Sequence, residues 1–435
     1  MYEIILGRNE TDLKKLGSEA TIPIGKHYVQ MERMKSLANA VYLDVNRPHA
    51  ILVCGKRGSG KSYTLGVMAE GLANLKSELR TNVATVIFDT MGIYWTMKYP
   101  NYKDDKVLSE WKLDPKALAP RIFIPKGLYE NFEEKGIPVD NKFAIGFTSM
   151  TGEEWCALFD IDINSNEGIL IERIILNITQ KQITLDKIID LIKKDDRSSE
   201  QEKNLVIARF ESVDKWAIFS EKGTNFDTFI KGGETVILDL SAYNLVENGQ
   251  RIKELVISFI AKKVLQQRLI DRKAEEVKEI KGMSIGKGIT KAPLIWMLID
   301  EAHEFLPKEG STLCSDPLIQ ILREGRQPGI SLVLATQQPG KIHTDVMTQS
   351  DIVISHRLTS KIDINALNEI MQTYLPFEVQ KYLDNLPRVK GASIVLDDNS
   401  EKMYPIQIQP RISWHGGEDP SIIRKKINTS LFSDK

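Results

Sequence analysis

Ala50-Ile51-Leu52-Val53-Cys54-Gly55-Lys56-Arg57-Gly58-Ser59-Gly60-Lys61-Ser62 joins an unbroken apolar run to a glycine-rich turn that carries a lysine. A short apolar run that stops at glycine is the pattern of a strand buried on both faces, as in a parallel sheet. A helical stretch follows from about Lys61 to Leu79, with Leu65, Met68, Leu72 and Leu75 on one side. The pattern GxxxxGK(S/T) therefore stands where its physics requires, after a strand and at the opening of a helix. Glycine lets the backbone curl round phosphate oxygens. The N–H groups of Gly58, Ser59, Gly60, Lys61 and Ser62 are expected to meet the anion at the helix N-terminus. Lys61 would set a positive charge on the β- and γ-phosphates, and the Ser62 hydroxyl is a hard oxygen ligand for Mg²⁺. ATP with Mg²⁺ is the cofactor pair this implies, with Gly55, Lys56, Arg57, Gly58, Ser59, Gly60, Lys61 and Ser62 as the cradle.

A second apolar run, Leu294-Ile295-Trp296-Met297-Leu298-Ile299, ends in Asp300-Glu301. Carboxylates at the C-terminal end of a parallel strand lie where such sheets place their ligands. Asp300 is expected to hold Mg²⁺ and Glu301 to polarise an attacking water. The run Ile330-Ser331-Leu332-Val333-Leu334-Ala335 ends in Thr336-Gln337-Gln338, where a polar amide either reaches the γ-phosphate or the attacking water, or is a strand-end residue facing solvent. Between these runs lies Leu322-Arg323-Glu324-Gly325-Arg326-Gln327. Its arginines are either surface charge or fingers that reach a neighbour's site; the chemistry alone leaves both open.

The other apolar runs extend the pattern. Val83-Ala84-Thr85-Val86-Ile87-Phe88 ends at Asp89, and Arg121-Ile122-Phe123-Ile124, Thr235-Val236-Ile237-Leu238-Asp239-Leu240 and Asp351-Ile352-Val353-Ile354-Ser355 read as further strands. Strands alternating with helices imply an α/β fold with a mainly parallel sheet. Residues 1–48 read as a short β-rich segment, 49–149 as the first part of the core, 150–218 as a helical insertion, 219–410 as the second part, and 411–435 as a polar surface tail. A long amphipathic helix is expected from about Gln250 to Val277. The stretch 278–292, with Lys278, Lys281, Lys287 and Lys291, reads as a basic loop.

Composition excludes several classes. The 435 residues are 42% hydrophobic and 27% charged, ordinary for a globular chain with a sizeable core. A net charge of −1 excludes coating of nucleic acid by bulk charge, so any such contact must be local. Three cysteines, Cys54, Cys156 and Cys314, without a CxxC fit a reducing cytoplasm rather than a disulfide framework or zinc module. The opening Met1-Tyr2-Glu3-Ile4-Ile5-Leu6 lacks the basic and apolar regions of a signal peptide, and no apolar run is long enough to span a bilayer. A cytoplasmic protein is expected.

Gly55–Ser62, Leu294–Glu301, Arg323-Glu324-Gly325-Arg326 and Leu334-Ala335-Thr336-Gln337-Gln338-Pro339 stand in the order and spacing of the HerA–FtsK ATPases, and the chain most resembles HerA-type DNA translocases. Val86-Ile87-Phe88-Asp89-Thr90-Met91-Gly92-Ile93-Tyr94 is similar to the family's segment after the second core strand. The resemblance covers roughly residues 48–410. It implies a RecA-like P-loop core, a hexameric ring, double-stranded DNA moved through the pore, and a nuclease partner of the NurA type. It carries Lys61, Asp300, Glu301 and Gln337 into catalytic roles and makes Arg326 the trans finger.

Two departures stand out. Gly92-Ile93-Tyr94 replaces a common Gly-Glu-Tyr, so no carboxylate role is assigned there. With 54 residues before Gly55, the family's N-terminal barrel is expected to be reduced or absent. Asp300-Glu301-Ala302-His303 also spells the DEAH box of another helicase superfamily, but the chain shows no late arginine motif to match it. A ring that scaffolds a nuclease or defence effector with little motor activity is the alternative function. A conjugation-type DNA pump at a membrane is a third reading, disfavoured by the lack of a spanning segment.

Overall fold

The computed structural model describes residues 3–31, 34–180, 182–281, 292–370, 382–383 and 385–417. In chain order the strands are β1 Ile4–Leu6, β2 Thr21–Met31, β3 Met34–Asp44, β4 Ala50–Cys54, β5 Val83–Asp89, β6 Arg121–Pro125, β7 Asn141–Phe143, β8 Ile145–Gly146, β9 Phe219–Ser220, β10 Thr235–Asp239, β11 Leu294–Ile299, β12 Ile330–Thr336, β13 Ile352–His356, β14 Ala392–Asp397 and β15 Lys402–Ile408. Thirteen of them form one sheet in the order β1-β3-β2-β15-β14-β13-β4-β12-β11-β5-β10-β6-β7. From β13 to β7 every pairing is parallel. Beyond β13 the pairings turn antiparallel through β14, β15, β2 and β3. The expected α/β fold with a mainly parallel sheet is what forms.

Alternation within the central strands explains why they read as continuous apolar runs. Ala50, Leu52 and Cys54 enter one core, while Ile51 and Val53 enter the other. Ile295, Met297 and Ile299 divide from Trp296 and Leu298 in the same way. Both faces are covered, so neither can be polar. The helix Lys61–Ala73 covers the second core with Leu65, Met68 and Leu72. The long helix Gly249–Ile280 covers the first with Ile252, Val256, Ile260 and Val264.

Residues 150–218 hold the helices Gly152–Phe159, Asn166–Leu176, Leu185–Lys193 and Glu200–Asp214. Thr151 and Ser199 each close a capping box, with Glu154 and Glu202, satisfying the first free N–H groups of their helices. Their centre is aromatic: Trp155 lies 4.9 Å from Phe210 and 5.0 Å from Phe219, ring centre to ring centre. The excursion leaves at β8 and returns at β9, and these two strands pair.

Several expectations need correction. The helix expected over Lys61 to Leu79 breaks after Ala73, where Asn74 caps its last turn, and resumes as Ser77–Arg80. Two strands not expected from the sequence, β14 and β15, follow β13 and carry the sheet toward the N-terminal segment. Residues 1–48 therefore join the main sheet through β2 and β15. The surface tail expected over 411–435 is wrong for its opening residues. Arg411 is fully buried, its Nε donating to Glu70 Oε1 at 2.9 Å, and Ser413 is buried beside it. A polar segment is drawn inside because Glu70, also buried, requires a cation and donors. The rest of that segment from residue 418, and Lys287 and Lys291 of the expected basic loop, lie outside the described residues.

The N-terminal segment is tied to the core by buried charge. His49, just before β4, sits between Asp351, with Nδ1 to Oδ2 at 2.6 Å, and Asp44, with Nε2 to Oδ2 at 3.5 Å. Arg8 neutralises Asp44 on its far side. Arg326 pairs with Asp351, and Asp397 lies close enough to Asp351 to feel its charge. Burial works to lower the His49 pKa, but its hydrogen bond to Asp351 and the nearby charges of Asp351 and Asp44 prevail and push it up to about 9. That folded value lies above the ordinary histidine value of 6.5. The stabilisation is therefore whole below about pH 6.5 and lost as pH rises through about 9, on the order of 3 kcal/mol. We expect His49→Gln to be less stable than the parent in urea unfolding at pH 6, with the gap narrowing by pH 9.5. A gap that stays constant across this range would remove His49 as a charged link.

Candidate nucleotide site

All the carboxylates and amides singled out from the sequence lie at the C-terminal edge of the parallel strands. Cys54, the last residue of β4, is level with Thr336 of β12 and Ser355 of β13, and the turn Gly55–Ser62 leaves from it. Ile299 of β11 is level with Leu334, so Asp300 and Glu301 emerge beside Thr336 and Gln337. The structure thus brings Lys61, Ser62, Asp300, Glu301 and Gln337 to one edge.

The turn is braced on every side. Gly55 N donates to Thr336 O at 3.3 Å and Lys56 N to Arg357 O at 3.0 Å. Gly391 N donates to Ser59 O at 3.3 Å, which seats the loop before β14 against the turn. Gly60, with φ of 116°, sits in left-handed backbone at the helix N-terminus and offers no side-chain cap. The first N–H groups of that helix are thereby left for an anion.

Lys61 is buried, with 5% of its surface exposed, and its Nζ makes only a long 3.4 Å contact to Lys56 O. Burial lowers its pKa, against the pull of Asp300 and Glu301. Asp300 is buried too, and burial raises its pKa against the neighbouring Ser62 hydroxyl. Its Oδ1 accepts from Glu301 N at 2.9 Å, while Oδ2 is buried with no hydrogen-bond partner. A buried, unpartnered carboxylate oxygen beside a serine hydroxyl is a donor set that fits a hard divalent cation such as Mg²⁺.

Glu301 takes a left-handed φ of 52°, an uncommon and strained conformation for a non-glycine residue. Gln337 Nε2 donates to Glu301 Oε1 in a short contact, and Glu301 Oε2 is buried without a hydrogen bond. His303 Nδ1 lies 3.6 Å from that oxygen and 3.2 Å from Thr336 Oγ1.

Several neighbours of the site were not singled out from the sequence. Tyr94, fully buried, donates its hydroxyl to Ser62 O at 3.2 Å and touches Asp300. His356, at the end of β13, meets Thr64 Oγ1 at 2.9 Å, and burial pushes its pKa down to about 4, so it is neutral at pH 7. Asp89 and Asp239 stand level on β5 and β10. Burial and then Asp239 raise Asp89 to about 7, although the N–H groups of Gly92, Ile93 and Tyr94 point at it. A strand-end aspartate was the available signal for both, the same signal that identified Asp300. Ile93, where a glutamate is common, packs against the apolar core.

Arg326 and Arg323 are not at this edge. Arg326 Nη2 pairs with Asp351 Oδ2 at 2.7 Å, and Asp351 Oδ1 accepts from Ala50 N at 2.9 Å, at the start of β4. Arg323 pairs with Asp345 at 2.6 Å. Both arginine side chains are 59% exposed. The described helices include none long and apolar enough to cross a membrane.

Comparison with known proteins points to one family. The profile described as "Helicase HerA, central domain" matches residues 22–264, and that of zonular occludens toxin (Zot) matches residues 224–409. The DNA double-strand break repair helicase HerA of Sulfurisphaera tokodaii is 26% identical over 97% of this chain and 75% of its own length. The HerA of Sulfolobus acidocaldarius is 23% identical over 78% of this chain and 60% of its own. Among solved structures, VirB4 of Thermoanaerobacter pseudethanolicus superposes with a TM-score of 0.54 at 11% identity, covering 90% of this chain and 97% of that one. This last likeness is one of fold.

Gly55 is a position where only glycine fits. A Cβ there would lie 2.5 Å from Ser59 Oγ and 2.6 Å from His356 Cβ. Gly55→Ala should push the turn off His356 and weaken nucleotide binding roughly ten- to hundredfold, in line with strain of about 1–3 kcal/mol. Titration with a fluorescent ATP analogue, alongside circular dichroism to check the fold, would show it; unchanged affinity would mean that the turn tolerates displacement.

Proposed function

Because this chain belongs to the HerA helicase family, we propose that its ATP hydrolysis moves double-stranded DNA. The observation that carries the reading is the convergence of Lys61, Asp300, Glu301 and Gln337 on one sheet edge, beside a helix N-terminus left open to an anion. Phosphoryl transfer to water asks the protein chiefly for positioning and charge. Lys61 and the N–H groups of Gly58–Ser62 orient the phosphates. Ser62 and Asp300 would hold Mg²⁺, which would supply positive charge to the phosphate oxygens. Glu301 orients and deprotonates the attacking water, and its strained backbone holds the carboxylate out from the strand. Gln337 donates to Glu301 Oε1 and can exchange that contact for the γ-phosphate or the water.

Arg326 acts on the nucleotide of an adjacent subunit. Its partner Asp351 is anchored to the first residue of β4, while the phosphate turn follows the last, so its own phosphates lie a strand length away, on the order of 13 Å. Activity then requires an assembly, which we take to be the hexameric ring of the family. Residues 49–149 and 219–410 form the ATPase core, with 150–218 inserted between them and 1–48 added at the sheet edge. The names of the relatives, double-strand break repair helicases, favour a role in the repair of DNA ends; a nuclease partner is part of the proposal and rests on the resemblance alone.

We expect Lys61→Ala to abolish hydrolysis without loss of fold, and Glu301→Gln to bind ATP but turn over at least about a hundredfold more slowly, as loss of a positioned base typically does. Parent ATPase should rise on adding linear double-stranded DNA, and the rise should shrink with salt as phosphate contacts are screened. Near-native turnover in either variant would overturn the site; a rate indifferent to DNA would overturn the motor and favour a scaffold.

A further inference from the structure

Arg326 is the outer end of a buried chain of alternating charges. Asp351 Oδ2 accepts from Arg326 Nη2 at 2.7 Å and lies 2.6 Å from His49 Nδ1. His49 Nε2 faces Asp44 Oδ2 at 3.5 Å. Asp44 takes the Arg8 guanidinium, which also donates to the carbonyls of Gly17, Glu19 and Ala20. Arg8, Asp44, His49 and Asp351 are all buried, and only the Arg326 side chain reaches solvent.

We propose that Asp351 and His49 are positioning residues that hold Arg326 aimed at the nucleotide of the adjacent subunit. The inference rests on the trans role given to Arg326 above.

Asp351 engages one terminal nitrogen of the guanidinium, and arginine carries five N–H donors in a rigid fork. The remaining donors stay available on the exposed side. A long side chain held in advance loses less freedom on meeting its target. Asp351 is itself held: Oδ1 takes Ala50 N at 2.9 Å, its backbone N donates to Ala50 O at 3.0 Å, and His49 packs against Oδ2. His49 has the harder task. Without its positive charge, Asp44 and Asp351 would face each other across the ring as buried like charges, answered only by Arg8 on one side and Arg326 on the other. The Trp296 ring, 6.4 Å from the imidazole, helps to wall this region from solvent. Asp397, the other carboxylate near Asp351, is itself bonded to Ser400 and to the Asn399 N–H. The arrangement makes the placement of Arg326 depend on residues near position 8 and position 44, far away in sequence.

The test uses the full chain and mixed assemblies. Asp351→Asn keeps the shape and removes the charge. Alone it should lower kcat by roughly ten- to hundredfold, the scale of a misplaced catalytic group, with KM for ATP near that of the parent. Mixed with Lys61→Ala it should recover activity, as Arg326→Ala should, because the Lys61→Ala subunit supplies a well-held arginine to an intact phosphate turn. A merely structural defect would not be rescued in this way. His49→Gln is read by the same measurements and stands in if Asp351→Asn does not fold. Parent-like kcat in a folded variant would overturn the proposal. So would failure of rescue where Arg326→Ala is rescued. Failure of Arg326→Ala itself to be rescued would remove the trans role and this inference with it.

Discussion

A strand buried on both faces can send its backbone N–H and C=O groups only sideways, into neighbouring strands. That constraint governs β4, which carries the phosphate turn. Its side chains alternate between two cores, so its backbone must pair with β12 on one side and β13 on the other. Those neighbours are buried in their turn and need partners of their own, which extends the sheet to thirteen strands. Because the central pairings are parallel, the turns after β4, β5, β10, β11 and β12 leave from one edge. Lys61, Asp89, Asp239, Asp300, Glu301 and Gln337 are gathered there by register, without any need for the loops to search.

The same burial makes charge expensive near the site, and each buried charge comes with its answer. Glu70 lies on the phosphate helix, inside the protein, and Arg411 returns from the far end of the chain to meet it. Ile412 N and Ser413 N donate to the same carboxylate, and the guanidinium lies over Gly66, where a Cβ would stand 2.7 Å from it. A buried ion pair is weak evidence for net stability, since desolvation offsets much of the attraction. Removing one partner is another matter, because the remaining charge has no water. The pair therefore acts on specificity: it fixes where the segment after β15 lies across the helix, and it covers a face that an amphipathic surface helix would leave polar.

What was legible in the sequence follows from range. The phosphate turn, the strand before it and the helix after it are contiguous, and so are Ile299-Asp300-Glu301 and Thr336-Gln337; local pattern alone defines them. β15 was not legible because Lys402 and Pro405 break its apolar run, and it is a strand only because β14 and β2 lie on either side. Arg411 was read as surface because its partner Glu70 is 341 residues away. His49 carried no signal in the sequence, since neither Asp44 nor Asp351 can be assigned to it without the sheet. The strand-end aspartates Asp89 and Asp239 carried the same local signal as Asp300, but nothing local said that they would be buried together.

The two edges of the sheet are thus given different work by one geometric fact. Parallel strands put all their following turns on one edge and all their preceding turns on the other. The first edge collects groups of the kind that suit a phosphate: a buried lysine, an unpartnered carboxylate oxygen and an amide bound to a glutamate. The second collects the groups that precede β4, β12 and β13, namely His49, Arg326 and Asp351. The side chain of an arginine is too short to run the length of β4. Under the trans role proposed for Arg326, its target must therefore lie on another molecule, and the buried imidazole between two carboxylates braces the aspartate that holds the guanidinium.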